Sequence, residues 1–182
     1  MHFKSHSWLL IPAFLLIFHV TPAFSASKQE IDARVAEALE NFYKETNAGK
    51  RLAQKAAGML VFPQVIKAGF GVGGEFGEGA LLIKNKTVDY YNVAAASIGL
   101  QFGAQVKSQV ILFMTQKALN DFRNSEGWEA GVDGSVAVAT VGAGKEIDTN
   151  TAKEPIIGFI FSNKGLMYNL TFEGSKITRI QK

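Results

Sequence analysis

The sequence predicts an α+β fold, in which N-terminal helices pack on a mostly antiparallel, strongly curled β-sheet that is barrel- or sandwich-like. Helical spacing of apolar residues is confined to the region before Pro63 and to one short stretch later in the chain. After Pro63 most segments are short, rich in Val, Ile, Phe and Tyr, and separated by turn residues. Strands and helices do not alternate, which argues against a parallel doubly wound sheet.

The start of the chain has the layout of a secretory signal peptide. Lys4 precedes the apolar run WLLIPAFLLIF (8–18), and small residues occupy the −3 and −1 positions of a cleavage before Ala26. The run is shorter than the roughly 20 residues of a membrane span, and retention as an N-terminal anchor is the alternative. We therefore expect 1–25 to be a signal peptide and 26–182 a single domain that is exported, periplasmic or secreted, and peripheral on a membrane.

Two helices are predicted at the start of the mature chain. The first covers 27–46, where Ser27 and Glu30 fit a capping box and apolar residues recur at helical spacing. The second covers KRLAQKAAGML (50–60), and Pro63 marks where helical character stops.

The rest of the chain is predicted to be strands, with one further helix at QKALNDFRN (116–124). Turn residues at IKNKT (83–87) and SNKG (162–165) indicate hairpins. The expected strands lie near 65–76, 78–84, 87–96, 99–105, 108–114, 132–141, 156–162, 166–172 and 176–181.

The residue types that are missing exclude many enzyme classes. The chain has no cysteine, and its three histidines, at positions 2, 6 and 19, all precede Ala26. The predicted mature chain therefore has neither Ser-His-Asp nor Cys-His arrangements, nor zinc sites of the usual ligands. We expect no enzymatic activity, no cofactor and no metal. The 19 Lys and Arg include Lys4, and the others exceed the 16 acidic residues by two, which is too few to indicate nucleic-acid binding.

A glycine-rich stretch, AGFGVGGEFGEGALLI (68–83), satisfies the G-x-G-x-x-G spacing of dinucleotide-binding loops. That motif requires a helix to begin within it, whereas the following residues predict a strand, so no nucleotide is expected. Along a strand, alternation instead sets a glycine face against an apolar one. This face allows either close packing and bends or a ligand groove lined by backbone. The glycines of this face are Gly69, Gly71, Gly73, Gly77 and Gly79.

Two carboxylates in the same stretch, Glu75 and Glu78, resemble a glycosidase pair by residue type only. In a regular strand their opposite parity sends them to opposite faces, so catalysis by this pair is not expected.

Basic residues cluster in the helical segment and are the predicted lipid-binding residues. Cations on an amphipathic helix can meet anionic headgroups. The acidic residues of 27–46 weaken this interpretation for the first helix, whereas KRLAQK (50–55) has three cations and no acid. From composition alone a solvated helix face is the default interpretation, and a membrane-facing patch is the alternative to it. The six residues are Lys28, Arg34, Lys44, Lys50, Arg51 and Lys55.

Three long motifs resemble the SYLF domain family. They are VFPQVIKAGFGVGGEFGEGALL, GWEAGVDGSVAVATVGAG and PIIGFIFSNKGLMYNLTFEGSKI, and the resemblance covers about residues 35–182. The family includes small secreted bacterial proteins and the lipid-binding domains of eukaryotic endocytic proteins, beside SH3 or FYVE modules.

The resemblance implies binding of anionic phospholipids, with phosphoinositides favoured by eukaryotic members, and no catalytic activity. Some eukaryotic members also bind actin, which an exported protein would not normally meet. In this interpretation apolar residues such as Leu52, Met59, Leu60 and Phe62 would bury against acyl chains, although for Leu60 and Phe62 a position in the core is favoured. The alternative function is a structural or protein-interaction module of the cell envelope, without a lipid ligand and with an unidentified protein partner.

Overall fold

The computed structural model describes residues 26–140, 150–165, 171–172 and 174–182 and confirms the α+β prediction. The helices are α1 (Lys28–Glu45), α2 (Asn47–Ala53) and α3 (Gln116–Asn124), with a short 3-10 helix at Thr151–Lys153. The strands are β1 (Gly58–Ile83), β2 (Lys86–Phe113), β3 (Trp128–Glu129), β4 (Ala137–Thr140), β5 (Ile156–Gly165) and β6 (Lys176–Ile180).

Side-chain caps set the ends of the first two helices. Ser27 Oγ accepts a hydrogen bond from the Glu30 N–H at 3.2 Å, so the predicted start of α1 is confirmed. Thr46 ends α1 and also caps α2, because its hydroxyl accepts from the Gly49 N–H at 3.1 Å.

The second helix is shorter than its sequence predicts, and the extension to residue 60 is wrong. α2 ends at Ala53, and Met59 and Leu60 belong to β1. Both side chains are buried, Met59 on the face covered by α1 and Leu60 on the opposite face. Two successive side chains are buried on opposite faces of a sheet only in a strand, where successive side chains alternate between the two faces.

β1 and β2 form one long antiparallel hairpin, where the sequence predicts five separate strands. The pairing runs from Gly58 opposite Phe113 to Ile83 opposite Lys86, and β-bulges interrupt it without ending either strand. The predicted turn at 83–87 is confirmed. Lys84 and Asn85 have φ of 51° and 60°, the backbone of a two-residue type I′ turn.

The hairpin folds back on itself, so that the two ends of β1 lie against each other. A Cβ added to Gly77 would lie 2.7 Å from the carbonyl oxygen of Gln64, and one added to Gly79 would overlap the carbonyl oxygen of Val61. The chain turns sharply between Gly69 and Gly73, where an added Cβ on Gly69 would lie 2.5 Å from the Gly73 Cα. Glycine at these positions therefore permits the bend and the close contact.

β2 is the central strand of the sheet. One edge pairs with β1 along the length of the hairpin, and the other is divided between β6, at Tyr90–Ala94, and β5, at Gln105–Phe113. The order is β3-β6-β2-β5-β4, and only β4 and β5 pair in parallel among the described strands. α1 covers one face of this layer and α3 the other.

The C-terminal predictions are confirmed in part. The helix at 116–124 is α3, and the strands near 156–162 and 176–181 correspond to β5 and β6. The segment SNKG does not form a tight turn; it lies within β5, where Ser162 has a φ of 50°. Most of the strand predicted near 166–172 lies outside the described residues.

We predict that Gly79→Ala destabilises the fold whereas Gly74→Ala does not. The new methyl group at 79 meets the backbone of Val61, while at 74 it meets only the carbonyl oxygen of Ala95 at an ordinary 3.7 Å. Overpacking of this kind costs about 2 kcal/mol of unfolding free energy, measured by urea titration of both variants. Equal stability of the two variants would contradict close packing between the two ends of β1.

Candidate functional site

A cavity of about 870 Å³ lies between α1, α2 and the turn end of the hairpin. Its volume is within the range of small-molecule sites. Most of its lining is apolar, and two exposed lysines, Lys50 of α2 and Lys84 of the turn, also border it. The apolar lining includes Val35, Leu39, Tyr43, Ala53, Met59, Leu82 and Ile83.

Three of the six predicted lipid-binding cations lie on α1 and have partners within the protein. Arg34 forms an ion pair with Glu30 at 2.6 Å and also donates to Gln64 at 3.3 Å. Lys44 lies 3.7 Å from Glu40, and the Lys28 ammonium sits 5.5 Å from the centre of the Tyr90 ring. The acidic residues that weakened the prediction for this helix thus engage its cations directly.

The other three, Lys50, Arg51 and Lys55, lie on α2 and just after it. All three side chains are exposed, and within the part of the chain that the structure describes none makes an ion pair or side-chain hydrogen bond. Lys50 borders the cavity. This group, the α2 cations, is therefore the local positive surface that remains available to a ligand.

The two carboxylates of the cavity, Asp32 and Glu40, are already engaged. Asp32 accepts from the Thr87 hydroxyl at 3.0 Å and from the Tyr90 hydroxyl at 2.9 Å, which fastens α1 to the hairpin. Burial, together with the hydrogen bond and charge of Asp32, raises the pKa of Tyr90 to about 12.

Some residues proposed to contact acyl chains belong to the core. Leu60 and Phe62 are fully buried, and Leu52 packs partly buried against the cluster beneath α1. Met59 is also buried, but it lines the cavity. The core position favoured for Leu60 and Phe62 is thereby confirmed, and burial within the folded-back hairpin makes both side chains unavailable to a ligand.

The two carboxylates of the glycine stretch take different partners. Glu75 forms a buried ion pair with Lys107 at 2.8 Å and accepts from Gln109 at 3.3 Å. Glu78 instead accepts from Lys182 at 3.0 Å and from the Ala26 N–H at 3.0 Å. The structure therefore does not bring them together on a shared partner.

The glycines that were predicted to form either a packing face or a ligand groove lie along the bend of the hairpin. Gly77 and Gly79 meet the first end of β1, and Gly69 meets Gly73. A groove at these glycines stays a prediction, and the side chain environment at position 71 is not described.

Neither a metal site nor a membrane-spanning helix is found in the part of the chain that the structure describes. No group of three or more potential His, Cys, Asp or Glu ligands occurs among these residues. None of the described helices combines the length and the apolar character that crossing a bilayer requires.

Two features of the surface were missed by the sequence reasoning. Lys84 reaches the cavity because the hairpin folds back, and local patterning carries no indication of that contact. The apolar side chains Phe70, Val72 and Phe76 are exposed, although the even-numbered apolar face of this stretch was recognised.

Comparison with known proteins identifies the C-terminal part of the chain. A family model described as Ysc84, Las17-binding protein actin regulator, matches residues 94–182. The match covers 89 of the 182 residues, and over this part the chain is similar to the Ysc84 (SYLF) family. The predicted family resemblance is thereby confirmed, and the description of this family links it to a protein partner. No curated protein matches the chain.

We predict that Tyr90 titrates near pH 12 and that Asp32→Asn lowers its pKa. The folded-state pKa is raised from 10, so this group stabilises the fold fully below pH 10 and loses its contribution as pH rises from 10 to about 12. Tyrosinate absorbance, compared between each protein and its Tyr90→Phe variant, isolates the group. Glu37→Gln, which removes another α1 carboxylate, should leave the titration unchanged; an unchanged pKa in Asp32→Asn would refute the assignment.

Proposed function

We propose that the protein is an exported, non-enzymatic phospholipid-binding protein that acts at a membrane surface and favours anionic phospholipid or phosphoinositide headgroups. The observation that carries this proposal is that the α2 cations are exposed and that one of them, Lys50, borders the mostly apolar cavity. Exposed cations without internal partners retain their full charge for a phosphate, and Lys50 borders an apolar space able to accept part of an acyl chain.

In this mechanism the headgroup and the acyl chains of a phospholipid contact different parts of the protein. The ammonium and guanidinium groups of Lys50, Arg51 and Lys55 meet headgroup phosphates, each contributing roughly 1 kcal/mol near an anionic surface. The apolar lining of Val35, Leu39 and the other cavity residues takes acyl carbon away from water. Lys84, in the turn of the hairpin, supplies a further charge at the border of the cavity.

A binding role is supported by the chemistry of the chain. No histidine or cysteine follows residue 19, and Glu75 and Glu78 are held by separate partners. A protein-interaction role without lipid is the second candidate, because the description of the matching family names Las17 binding and actin regulation. That role predicts a protein partner and indifference to vesicles.

Export is supported by the surroundings of Ala26. Its backbone N–H donates to Glu78 Oε2 at 3.0 Å, and its carbonyl accepts from Lys182 at 2.8 Å. Cleavage before Ala26 would turn this N–H into an ammonium group already in contact with a carboxylate. The new charge would therefore form a charge-assisted hydrogen bond without rearrangement.

We predict that replacing Lys50, Arg51 and Lys55 with Ala weakens binding to vesicles containing phosphatidylglycerol. Losing three surface cations removes about 3 kcal/mol, on the order of a hundredfold in Kd at low salt. Co-sedimentation across a salt series measures this, and wild-type binding should fade as salt screens the headgroups.

The matched control replaces Lys28, Arg34 and Lys44 with Ala, which removes the same charge from α1. Because these cations already have partners, the control should weaken binding much less. Equal losses of vesicle affinity in the two triple variants would show that binding depends on net charge and not on the position of the cations. Unchanged binding in the α2 variant would refute the headgroup mechanism.

We predict that the exported protein begins at Ala26 and that Glu78 stabilises this N-terminus. Intact mass of the exported chain reports the cleavage position. Glu78→Gln should lower the unfolding free energy of the processed chain by about 1–2 kcal/mol more than that of the unprocessed chain, because only the former has an ammonium at this contact. A different N-terminus, or equal losses in both forms, would contradict the assignment.

A further inference from the structure

The middle of the long hairpin forms a bent corner that projects beyond α1. It consists of 66–76 of β1 and 94–106 of β2, which pair from Ile66 opposite Val106 to Phe76 opposite Ala94. The flank of α1 that faces away from the main cavity lies against Pro63, Gln64 and Val106, where the corner begins. The α2 cations and the corner are thus on different sides of α1.

Polarity at this corner is the reverse of that in a water-exposed sheet. The outward face carries Ile66, Phe70, Val72 and Phe76, which are 48%, 77%, 68% and 53% exposed. The inward face carries polar side chains, and these are buried: Lys67, Glu75, Gln105 and, at its edge, Lys107. A sheet in contact with water places apolar residues inside and polar residues outside.

The outward face of the corner carries no charge between its two ends, where the exposed Lys164 lies opposite Val106 and the exposed Lys176 opposite Ala94. Neither 68–74 nor 93–106 includes a charged residue. Among the described side chains of β1 and β2, the neighbours of the large residues on this face include the small apolar residues Ala68, Ala94, Ala96 and Ala104. Continuous exposed apolar surface of this kind marks a site of interaction.

We infer that this corner inserts into the acyl region of a lipid bilayer, an inference that rests on the proposed function at a membrane surface. The four large side chains expose on the order of 400 Å², about half of the 800 Å² per partner of a stable protein interface. A protein interface also has roughly one hydrogen bond per 100–200 Å², and between Lys164 and Lys176 the described side chains of this face offer no donor or acceptor. A convex, uncharged edge of large apolar groups suits hydrocarbon instead.

The inferred contact differs from the α2 site in its chemistry. The α2 cations act through headgroup charge, which salt screens, whereas the corner acts through burial of apolar surface, which salt does not weaken. Binding that persists at high salt or on uncharged phosphatidylcholine therefore belongs to the corner.

The experiment uses the full chain, which has no cysteine, so that a single introduced cysteine carries the only label. Val72→Cys and Val132→Cys are matched sites, since the valines are 68% and 74% exposed and Val132 lies in the loop before β4. Each is labelled with nitrobenzoxadiazole and mixed with phosphatidylcholine vesicles, with and without phosphatidylglycerol, that contain a lipid with a doxyl quencher on its acyl chain.

Insertion predicts that the label at 72 gains fluorescence several-fold without quencher, shifts to shorter wavelength and is quenched by the doxyl chain. The label at 132 should show none of these changes. The unlabelled variant with Phe70→Ser and Val72→Ser should lose the salt-resistant part of vesicle binding, whereas Val88→Ser with Val132→Ser should retain it.

Three results would overturn the inference. If the chain sediments with anionic vesicles in a salt-dependent way but the label at 72 stays in water, the headgroup proposal stands and insertion is wrong. Shielding of that label without vesicles, increasing with protein concentration, would show that a second copy covers the corner. Absence of sedimentation with every vesicle would refute both proposals. Conversely, insertion at 72 that is unaffected by the α2 triple variant would leave the corner as the sole membrane contact.

Discussion

Contact between the two ends of β1 is the constraint on which the rest of the structure depends. Gly77 and Gly79 allow one backbone to rest against Gln64, Val65 and Val61. Both core clusters then draw residues from both ends of the strand, such as Leu60 with Leu81 and Val61 with Ala80. Helix α1 can consequently pack across both ends of β1 at once. This packing creates the cavity beside α2 and leaves the middle of the hairpin projecting beyond α1.

A buried ion pair makes this arrangement specific. Glu75 follows the bend of β1, whereas Lys107 pairs with Val65, which precedes the bend. Their contact therefore exists only when the hairpin is folded back. The side chains are 6% and 1% exposed. Removing water from two such charges offsets most of their attraction. The pair therefore adds little net stability, while loss of either partner from the folded hairpin would leave an uncompensated buried charge.

Much of the fold could be predicted from the sequence because its indications are local. Ser27 and Glu30 correctly indicated the start of α1, and Lys84-Asn85 correctly indicated the hairpin turn. The lengths of β1 and β2 could not be predicted, since bulges and glycines look like strand ends until the register is known. The site shows the same division. The α2 cations were identified from charge, and a core position was favoured for Leu60 and Phe62. Lys84 could not be assigned to the cavity, because it reaches it through contacts between residues distant in the chain.

The shared use of β2 has a consequence for how the chain can be divided. The family match begins at residue 94, inside a strand that runs from Lys86 to Phe113. A fragment cut at that boundary would lose β1 and leave a long strand edge with unpaired N–H and C=O groups. Such an edge is a template for pairing with other chains and favours aggregation. The unit of sequence similarity is therefore smaller than the unit of folding, and shuffling between proteins would have to carry the preceding hairpin arm with it.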